Sequence, residues 1–250
     1  MKGKKKNKKI KIKINRLITL LLFVFMICFG AIVFIKSDFF SLKHIKIINN
    51  NMLTKSDINS LSKVAIGKNI FTYDLKKIAS NIEENPYIES ISIKRKLPNT
   101  LIVDIKEKDI MCMLKDKKEN YYYIDKSMEY VDKVNESDIK QNYPIVGMDF
   151  SVDEKKINYK NKNDKKYLKA LMKNIKKQGL NKKIREIDCF DEKQIDISID
   201  KSIEVVVLKD KNIDYNIAKL TKILLDLEKQ DIHYGKIDMT FSKYSLYTYE

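Results

Sequence analysis

The chain has 250 residues, and its 50 lysines and arginines outnumber its 34 aspartates and glutamates to give a net charge of +16. That length is enough for one large domain or two small ones. The three cysteines are odd in number and far apart, so no disulfide framework or zinc-site spacing follows from them. Cys112 and Cys189 are expected to be small core residues, and a disulfide between these two is the weaker alternative.

The positive charge is concentrated at the N-terminus. Residues 1–16 hold eight lysines and Arg16 without an acid, so the rest of the chain is only mildly basic. We expect this basic tail to remain in the cytoplasm and to contact the anionic membrane surface. Nucleic-acid binding is the weaker interpretation of the tail, and no nucleic-acid partner is expected.

An uncharged apolar run, LITLLLFVFMICFGAIVFI, occupies residues 17–35. At about 1.5 Å per residue its 19 residues reach roughly 28 Å, close to the ~30 Å hydrocarbon core of a bilayer. A signal peptide has a shorter apolar core and a small-x-small cleavage site, and Phe34-Ile35-Lys36 offers no such site. The sequence therefore predicts an uncleaved transmembrane helix, a single-pass type II cell-membrane protein, and an extracytoplasmic part that comprises residues 36–250.

Just after the apolar run, the pattern predicts a strand, two helices and a β-hairpin. The strand lies in SLKHIKIINNNM, Thr54 and Asp57 form a capping box that begins a helix ending at Gly67, and Asp74 caps a second helix that Pro86 prevents from continuing. Two apolar faces support the helices, namely Ile58, Leu61 and Ala65 in the first and Leu75, Ile78, Ala79 and Ile82 in the second.

The hairpin prediction rests on residues 86–108, PYIESISIKRKLPNTLIVDIKEK. Apolar and polar residues alternate on both sides of the Leu-Pro-Asn-Thr turn, with Ile91 and Ile93 before it and Leu101, Val103 and Ile105 after it. A period of two is typical of strands with one covered face. The helices are therefore predicted to cover one side of a small three-stranded sheet.

This segment resembles the POTRA domain of the bacterial cell-division family FtsQ/DivIB. The family's pattern opens with Pro-aromatic/Val-Ile, continues as basic-x-Leu-Pro-x-Thr-Leu, and closes on Glu-Lys or Glu-Arg. The residues that carry the resemblance, and that it marks as a candidate hairpin site, are Pro86, Tyr87, Arg95, Leu97, Pro98, Thr100 and Glu107. The resemblance implies an α+β fold with a single N-terminal transmembrane helix, a small POTRA domain at 38–108 and a larger mixed β domain with two helices at 109–250.

The resemblance extends more weakly into the second domain. YYYIDKSMEYV (121–131) resembles a strand pair of the family, although Ser127 stands where the family usually has glycine in the turn, and YPIVG (143–147) resembles its Leu-Pro-Ile-x-Gly region. A helix is predicted over 164–178 and a second one around Ile217 to Leu227. Strands are predicted in IREIDCF, QIDISID, SIEVVVL, KIDMTF and KYSLYTY, the last of which spans 243–249.

No pattern in residues 36–250 favours catalysis. His44 and His233 lie in no nucleophile or metal motif, and Cys189 lacks a local base, so we expect no enzyme, no cofactor and no metal. Acidic residues are many and are interpreted as a solvated surface. The alternative to chemistry is a binding scaffold.

Two tyrosine-rich segments are candidates for a binding surface. Tyr121-Tyr122-Tyr123 is either a partner patch or part of the core, because strand alternation sends its side chains both ways. The C-terminal strand is the stronger candidate, since a terminal edge strand can accept a partner strand and tyrosine is enriched at interfaces. Its predicted partner-binding residues are Lys243, Tyr244, Ser245, Leu246, Tyr247, Thr248 and Tyr249.

The resemblance implies a role at the division septum. Proteins of this family bind the bitopic coiled-coil partners FtsL and FtsB/DivIC and help to position or regulate septal peptidoglycan synthesis by a penicillin-binding protein. The alternative is a membrane-anchored POTRA protein of another extracytoplasmic assembly, in secretion or sporulation.

Overall fold

The computed structural model describes residues 14–139, 143–161, 163–200, 202–210, 212–241 and 244–249. Most of the basic tail predicted at 1–16 lies outside these residues. The chain divides into two compact units, residues 1–107 and 108–250, and together they form the mixed α+β fold that the sequence predicts.

The first unit begins with helix α1, Ile14–Lys36. Its segment Arg16–Lys36 is long and apolar enough to cross a membrane, and the side chains of this segment are exposed rather than packed in a protein core. The predicted span 17–35 falls inside this helix. A helix that is apolar all round and unburied is typical of a membrane span.

After α1, the unit has the predicted order strand, helix, helix, strand, strand. The elements are β1 (His44–Ile48), α2 (Lys55–Ser62), α3 (Leu75–Glu83), β2 (Ile88–Lys96) and β3 (Thr100–Glu107). In the described part of this unit they form a three-stranded sheet in which β3 is central, parallel to β1 and antiparallel to β2. Both helices pack on one face of it, in a cluster made of Ile47, Ile58, Ile78, Ile82, Ile88, Val103 and Ile105.

The predicted helix starts are confirmed, whereas one predicted helix end is wrong. Thr54 Oγ1 accepts a hydrogen bond from the Asp57 N–H at 3.2 Å, and Asp57 Oδ2 accepts one from the Thr54 N–H at 2.9 Å. Helix α2 ends at Ser62 rather than near Gly67, because Lys63 takes a left-handed conformation with φ 52°. The hydroxyl of Ser62 stabilises this early end by donating to the Asn59 carbonyl at 2.7 Å.

The second unit is built on a large sheet covered by two helices. Its elements are β4 (Ile110–Lys115), β5 (Tyr121–Asp125), β6 (Tyr130–Val134), β7 (Ile145–Gly147), β8 (Phe150–Asp153), β9 (Lys156–Tyr159), α4 (Asp164–Lys177), β10 (Ile184–Asp188), β11 (Gln194–Ile199), β12 (Ile203–Leu208), α5 (Ile213–Lys229), β13 (Gly235–Asp238) and β14 (Leu246–Thr248). Across the described residues, the sheet has the strand order β14-β13-β12-β11-β10-β7-β4-β5-β6, and β8 and β9 pair separately.

One face of this sheet packs against α4 and α5. The helices contribute their predicted inward residues, Leu168, Leu171, Met172 and Ile175 from α4 and Ile217, Leu220, Leu224 and Leu227 from α5. Cys112 and Cys189 lie buried in the same cluster as free thiols, as expected from the sequence. Burial raises the pKa of Cys189 to about 12, so this thiol stays protonated at neutral pH.

The tyrosine triplet belongs to the core. Tyr121, Tyr122 and Tyr123 are all buried, so the partner-patch alternative for this segment is wrong. The turn that follows closes without glycine because Asp125 Oδ1 accepts hydrogen bonds from the N–H groups of Ser127 at 2.8 Å and Glu129 at 3.0 Å.

Candidate partner-binding edge

Strand β14 lies at one end of the large sheet. It pairs antiparallel with β13 through Lys236↔Thr248, Ile237↔Tyr247 and Asp238↔Leu246. Within the part of the chain that the structure describes, no strand pairs with its other side. An open edge of this kind presents unpaired N–H and C=O groups to a partner strand.

The geometry at Gly235 shows which backbone groups face the open side. A Cβ placed on Gly235 would lie 2.6 Å from the Thr248 carbonyl oxygen, so that oxygen points toward β13. Backbone groups alternate in direction along a strand of an antiparallel pair. The N–H and C=O groups of Tyr247 therefore point away from β13, toward solvent. Ser245 directly precedes β14, and its N–H is expected to face outward by the same alternation.

The side chains of β14 and of the residues that flank it divide into one anchor and several exposed groups. Tyr247 is half-buried against the core of the second unit, and its hydroxyl donates a hydrogen bond to the Tyr234 carbonyl. Tyr244, Leu246 and Tyr249 are 58%, 49% and 62% exposed, which is high for large apolar or aromatic side chains. Tyr247 thus holds β14 on the sheet, while its neighbours remain available for contact.

Two aromatic residues from outside the segment 244–249 extend the exposed surface. The Tyr234 and Tyr249 ring centroids lie 6.0 Å apart, and the Phe241 and Tyr244 rings stack at 4.8 Å. We call the set Tyr234, Phe241, Tyr244, Leu246 and Tyr249 the aromatic edge. Such rings supply large contact areas at low conformational entropy cost.

The chain immediately after β13 is fixed by a local turn. Thr240 donates two hydrogen bonds to Asp238 Oδ1, from its N–H at 2.9 Å and from its hydroxyl at 2.7 Å. These bonds hold the pKa of Asp238 below its usual range. The carboxylate therefore stabilises the chain at the point where it leaves β13.

Strand β6, at the opposite end of the sheet, is a poorer candidate. It carries Asp132 and Lys133, and charged side chains are a common protection of an edge against strand pairing. None of residues 244–249 is charged. The absence of charge on the last described segment favours β14 as the edge that binds.

Sequence reasoning missed the role of Gly235. Its φ of 122° is open to glycine alone, and an added Cβ would meet the Thr248 oxygen and the Tyr247 ring. The signal in the sequence was a single glycine before the predicted strand KIDMTF. Its contact partners lie more than ten residues further along the chain, where no local pattern reveals them.

Gly235→Ala is expected to detach β14 from the sheet. The backbone oxygen of Thr248 cannot move aside as a flexible side chain could, so the strand must shift. Amide hydrogen exchange should show loss of protection at Leu246 and Thr248, the two residues of β14 whose N–H groups point toward β13. Gly179→Ala is the matched control, because Gly179 also has a positive φ of 73° but has no atom within 4 Å of an added Cβ. Unchanged protection of β14 in Gly235→Ala would contradict the expectation.

The predicted hairpin residues in the first unit do not form one cluster. Arg95 donates hydrogen bonds to the Ile70 carbonyl at 2.9 Å and the Tyr73 carbonyl at 2.6 Å. Glu107, the last residue of β3, accepts hydrogen bonds from the N–H groups of Met52 and Leu53. Pro86, Tyr87, Pro98 and Thr100 are half-buried, and Leu97 is exposed.

The two charged members, Arg95 and Glu107, thus hold their own domain together. In the C-terminal set, Lys243 lies outside the described residues, and Tyr244 to Tyr249 come together along one edge. Among the described residues, no cluster of histidine, cysteine, aspartate or glutamate is arranged to hold a metal ion.

Two family matches together cover most of the chain. Residues 40–108 match the POTRA domain of FtsQ type, and residues 113–240 match the C-terminal domain of the cell-division protein FtsQ/DivIB. The chain belongs to the FtsQ/DivIB family of cell-division proteins. The predicted resemblance is therefore confirmed. Strand β14 lies beyond residue 240, so its assignment as part of this FtsQ/DivIB protein's edge rests on the structure.

Curated relatives agree with this family. The cell division protein DivIB of Clostridium tetani is 29% identical over 211 residues, which cover 82% of this chain and 78% of that protein. DivIB of Clostridium botulinum strain Loch Maree is 34% identical over 151 residues, covering 60% of this chain and 56% of that protein. The cell division protein FtsQ of Syntrophotalea carbinolica is 28% identical over 119 residues, covering 48% and 41%.

Proposed function

We propose that this FtsQ/DivIB protein is a non-enzymatic, membrane-anchored scaffold that binds other division proteins outside the membrane. The observation that carries the proposal is the uncharged open edge of β14, which is flanked by exposed aromatic side chains. Membership of a cell-division family supports the cellular role, and helix α1 supports the anchor.

The edge suits recognition by strand addition. Outward N–H and C=O groups near Tyr247 offer main-chain hydrogen bonds, and the aromatic edge supplies side-chain contacts that select the partner. The partner is an extended segment with apolar residues at alternate positions. FtsL-like and FtsB/DivIC-like bitopic proteins are the proposed partners, and through them the scaffold helps to position a septal penicillin-binding protein.

Partner titration tests the scaffold directly. The full chain in nanodiscs is titrated with a DivIC-like partner, and the binding is measured again with variants of the aromatic edge such as Tyr244→Ala and Leu246→Ala. The surface substitution Lys165→Ala, on helix α4, is the control. If the protein binds its partner through β14, the edge variants lose affinity for that partner and the Lys165→Ala control keeps it.

The proposed topology places the N-terminus in the cytoplasm. Nine basic residues precede the apolar run, and positively charged flanks of a membrane helix are retained on the cytoplasmic side. Protease added to intact cells without their wall should digest residues 36–250 and spare the tail. A protected C-terminal part would show the opposite orientation and would end the proposal of an extracytoplasmic scaffold.

Septal location is a separate part of the proposal. A fluorescent fusion should form a band at mid-cell in dividing cells, because the proposed partners assemble there. A uniform or polar signal would favour another membrane-anchored assembly instead. Purified protein should neither cleave nor cross-link peptidoglycan, and either activity would contradict the non-enzymatic role.

A further inference from the structure

Three segments of the first unit meet at one end of its small sheet: 37–43, 64–72 and the hairpin turn 97–99. The N–H of Leu42 donates to the Lys68 carbonyl at 2.8 Å, and the N–H of Gly67 donates to the Leu42 carbonyl at 2.9 Å. The N–H of Lys43 donates to the Asn99 carbonyl at 2.9 Å. These bonds fix the three segments next to one another.

This end of the unit is joined directly to the last turn of α1. Asn69 Nδ2 donates a hydrogen bond to the Ile35 carbonyl at 2.7 Å. The Phe34 ring lies against Phe39 and Phe40, with centroids 5.6 Å and 5.3 Å away, and Phe40 contacts Phe71 at 5.3 Å. The three segments therefore lie next to the end of the helix's apolar run.

The same end exposes large apolar side chains. Phe39 is 57% exposed, Ile66 63%, Phe71 42% and Leu97 53%, and we call these four residues the apolar collar. Each is contributed by one of the three segments, and Leu97 belongs to the Leu-Pro motif on which the family resemblance rests. A hydrophobic set of this kind next to a membrane helix needs a covering surface.

Positive charges surround the collar. Lys36, Lys43, Lys68 and Lys96 are exposed on or beside the three segments, where Asp38 is the one acidic residue. Apolar side chains with neighbouring lysines are the composition of surfaces that lie in the interface of an anionic bilayer.

We infer that the apolar collar dips into the headgroup region of the bilayer that α1 crosses, while the surrounding lysines contact lipid phosphates. The inference rests on the membrane anchor of the proposed function. The headgroup layer adds about 5–8 Å on each side of the hydrocarbon core, so groups bonded to the Ile35 carbonyl lie within it. The bilayer is thus the surface already present at the height of the collar, and no protein partner is needed to cover it.

This contact explains why Leu97 projects from the hairpin turn. It also gives the first unit two attachments to the membrane, the helix and the collar, which together restrict its tilt relative to the bilayer. A domain attached by the helix alone has no such restriction.

The chain contains no tryptophan, so single tryptophans can report depth in the membrane. Leu97→Trp and Phe71→Trp place the reporter in the collar of the full chain, reconstituted in vesicles of phosphatidylcholine and phosphatidylglycerol. Ser90→Trp is the negative control, since it lies on β2 seven residues before Leu97, roughly 20 Å away along the strand. Phe25→Trp, in the middle of α1, is the positive control for the anchor.

Insertion should blue-shift the emission of the two collar reporters, and lipids brominated near the carbonyl end of their chains should quench these reporters and leave Ser90→Trp unchanged. Lipids brominated near the terminal methyl should quench Phe25→Trp. Replacing phosphatidylglycerol by phosphatidylcholine should reduce the quenching, because the lysines then lose their anionic contacts. If Phe25→Trp is quenched and the collar reporters are not, the helix is in the membrane but the collar is not, and the inference is overturned. Unquenched Phe25→Trp would overturn the anchor and the inference together.

Discussion

Deletion of residues 243–250 is expected to weaken partner binding by about 100-fold or more while the rest of the sheet stays folded. The deletion removes the open strand and three of the five residues of the aromatic edge. Losses at the centre of an interface reach about 2 kcal/mol or more, and about 2.7 kcal/mol corresponds to 100-fold. The sheet tolerates the loss because β14 spans Leu246–Thr248 and pairs with β13 on one side only, in the described part of the chain.

A single substitution gives the sharper form of this test. Ser245→Pro removes one outward N–H, and a proline on an edge strand is tolerated when that N–H faces solvent. Ser245→Ala is the matched control, since it keeps the N–H and removes only a hydroxyl that has no hydrogen-bond partner among the described residues. We expect the proline variant to bind weakly and the alanine variant to bind like the parent.

Partner titration and a thermal melt should be measured on the same preparations of the full chain. Parent-like affinity in both the deletion and the proline variant, with normal melts, would place the interface elsewhere. Amide exchange at Gly235, whose N–H donates to the Ser202 carbonyl at 2.8 Å on the β12 side, distinguishes a local loss of β14 from unfolding of the whole sheet, so a weakened variant can be assigned to one cause.

Local signals in the sequence predicted local structure well. The Thr54–Asp57 capping box, the Asp74 cap and the alternation around the Leu-Pro turn depend on neighbours within a few residues. The end of α2 was misjudged because Lys63, a residue without a turn preference, takes the left-handed conformation that glycine usually supplies.

Features that depend on distant contacts could not be predicted. In the large sheet, β7 lies between β4 and β10, and no periodicity in the sequence reveals this order. Strands β8 and β9 were not predicted from the sequence. The tyrosine triplet was ambiguous because alternation implies two directions, whereas both faces of β5 are covered. Gly235 acts through Tyr247 and Thr248, so its importance appears only when β14 is in place.

The candidate edge also combines local features that the sequence predicts with features that depend on distant contacts. Its position at the C-terminus and its tyrosines were readable from the sequence, and the strand itself is shorter than the predicted 243–249. The distinction between Tyr247 as anchor and Tyr244 and Tyr249 as exposed groups required the register with β13. The apolar collar likewise combines residues from three segments that are more than 20 positions apart along the chain and are joined by backbone hydrogen bonds.

The hairpin of the first unit offers the largest expected loss of stability. Ile105 lies on the central strand β3 and is 2% exposed, whereas Ile93 lies on the edge strand β2 and is half-buried. Both pack on the cluster beneath α2 and α3. Ile105→Ala is expected to lower the free energy of unfolding by roughly 2–5 kcal/mol, the range for a buried isoleucine truncation that leaves a cavity.

The same substitution at Ile93 should have a smaller effect, because part of its side chain is already in contact with water and less cavity remains. Lys94→Ala, at the next and exposed position, should change the free energy of unfolding by less than about 0.5 kcal/mol. A tryptophan at Ser90 reports denaturant unfolding of this unit alone, since the chain has no other tryptophan. The expected losses of stability therefore decrease in the order Ile105, Ile93, Lys94. The two isoleucine substitutions remove the same atoms, so the difference between them reflects burial alone. Equal losses at all three positions would mean that the alternation of the hairpin does not decide which residues form the core.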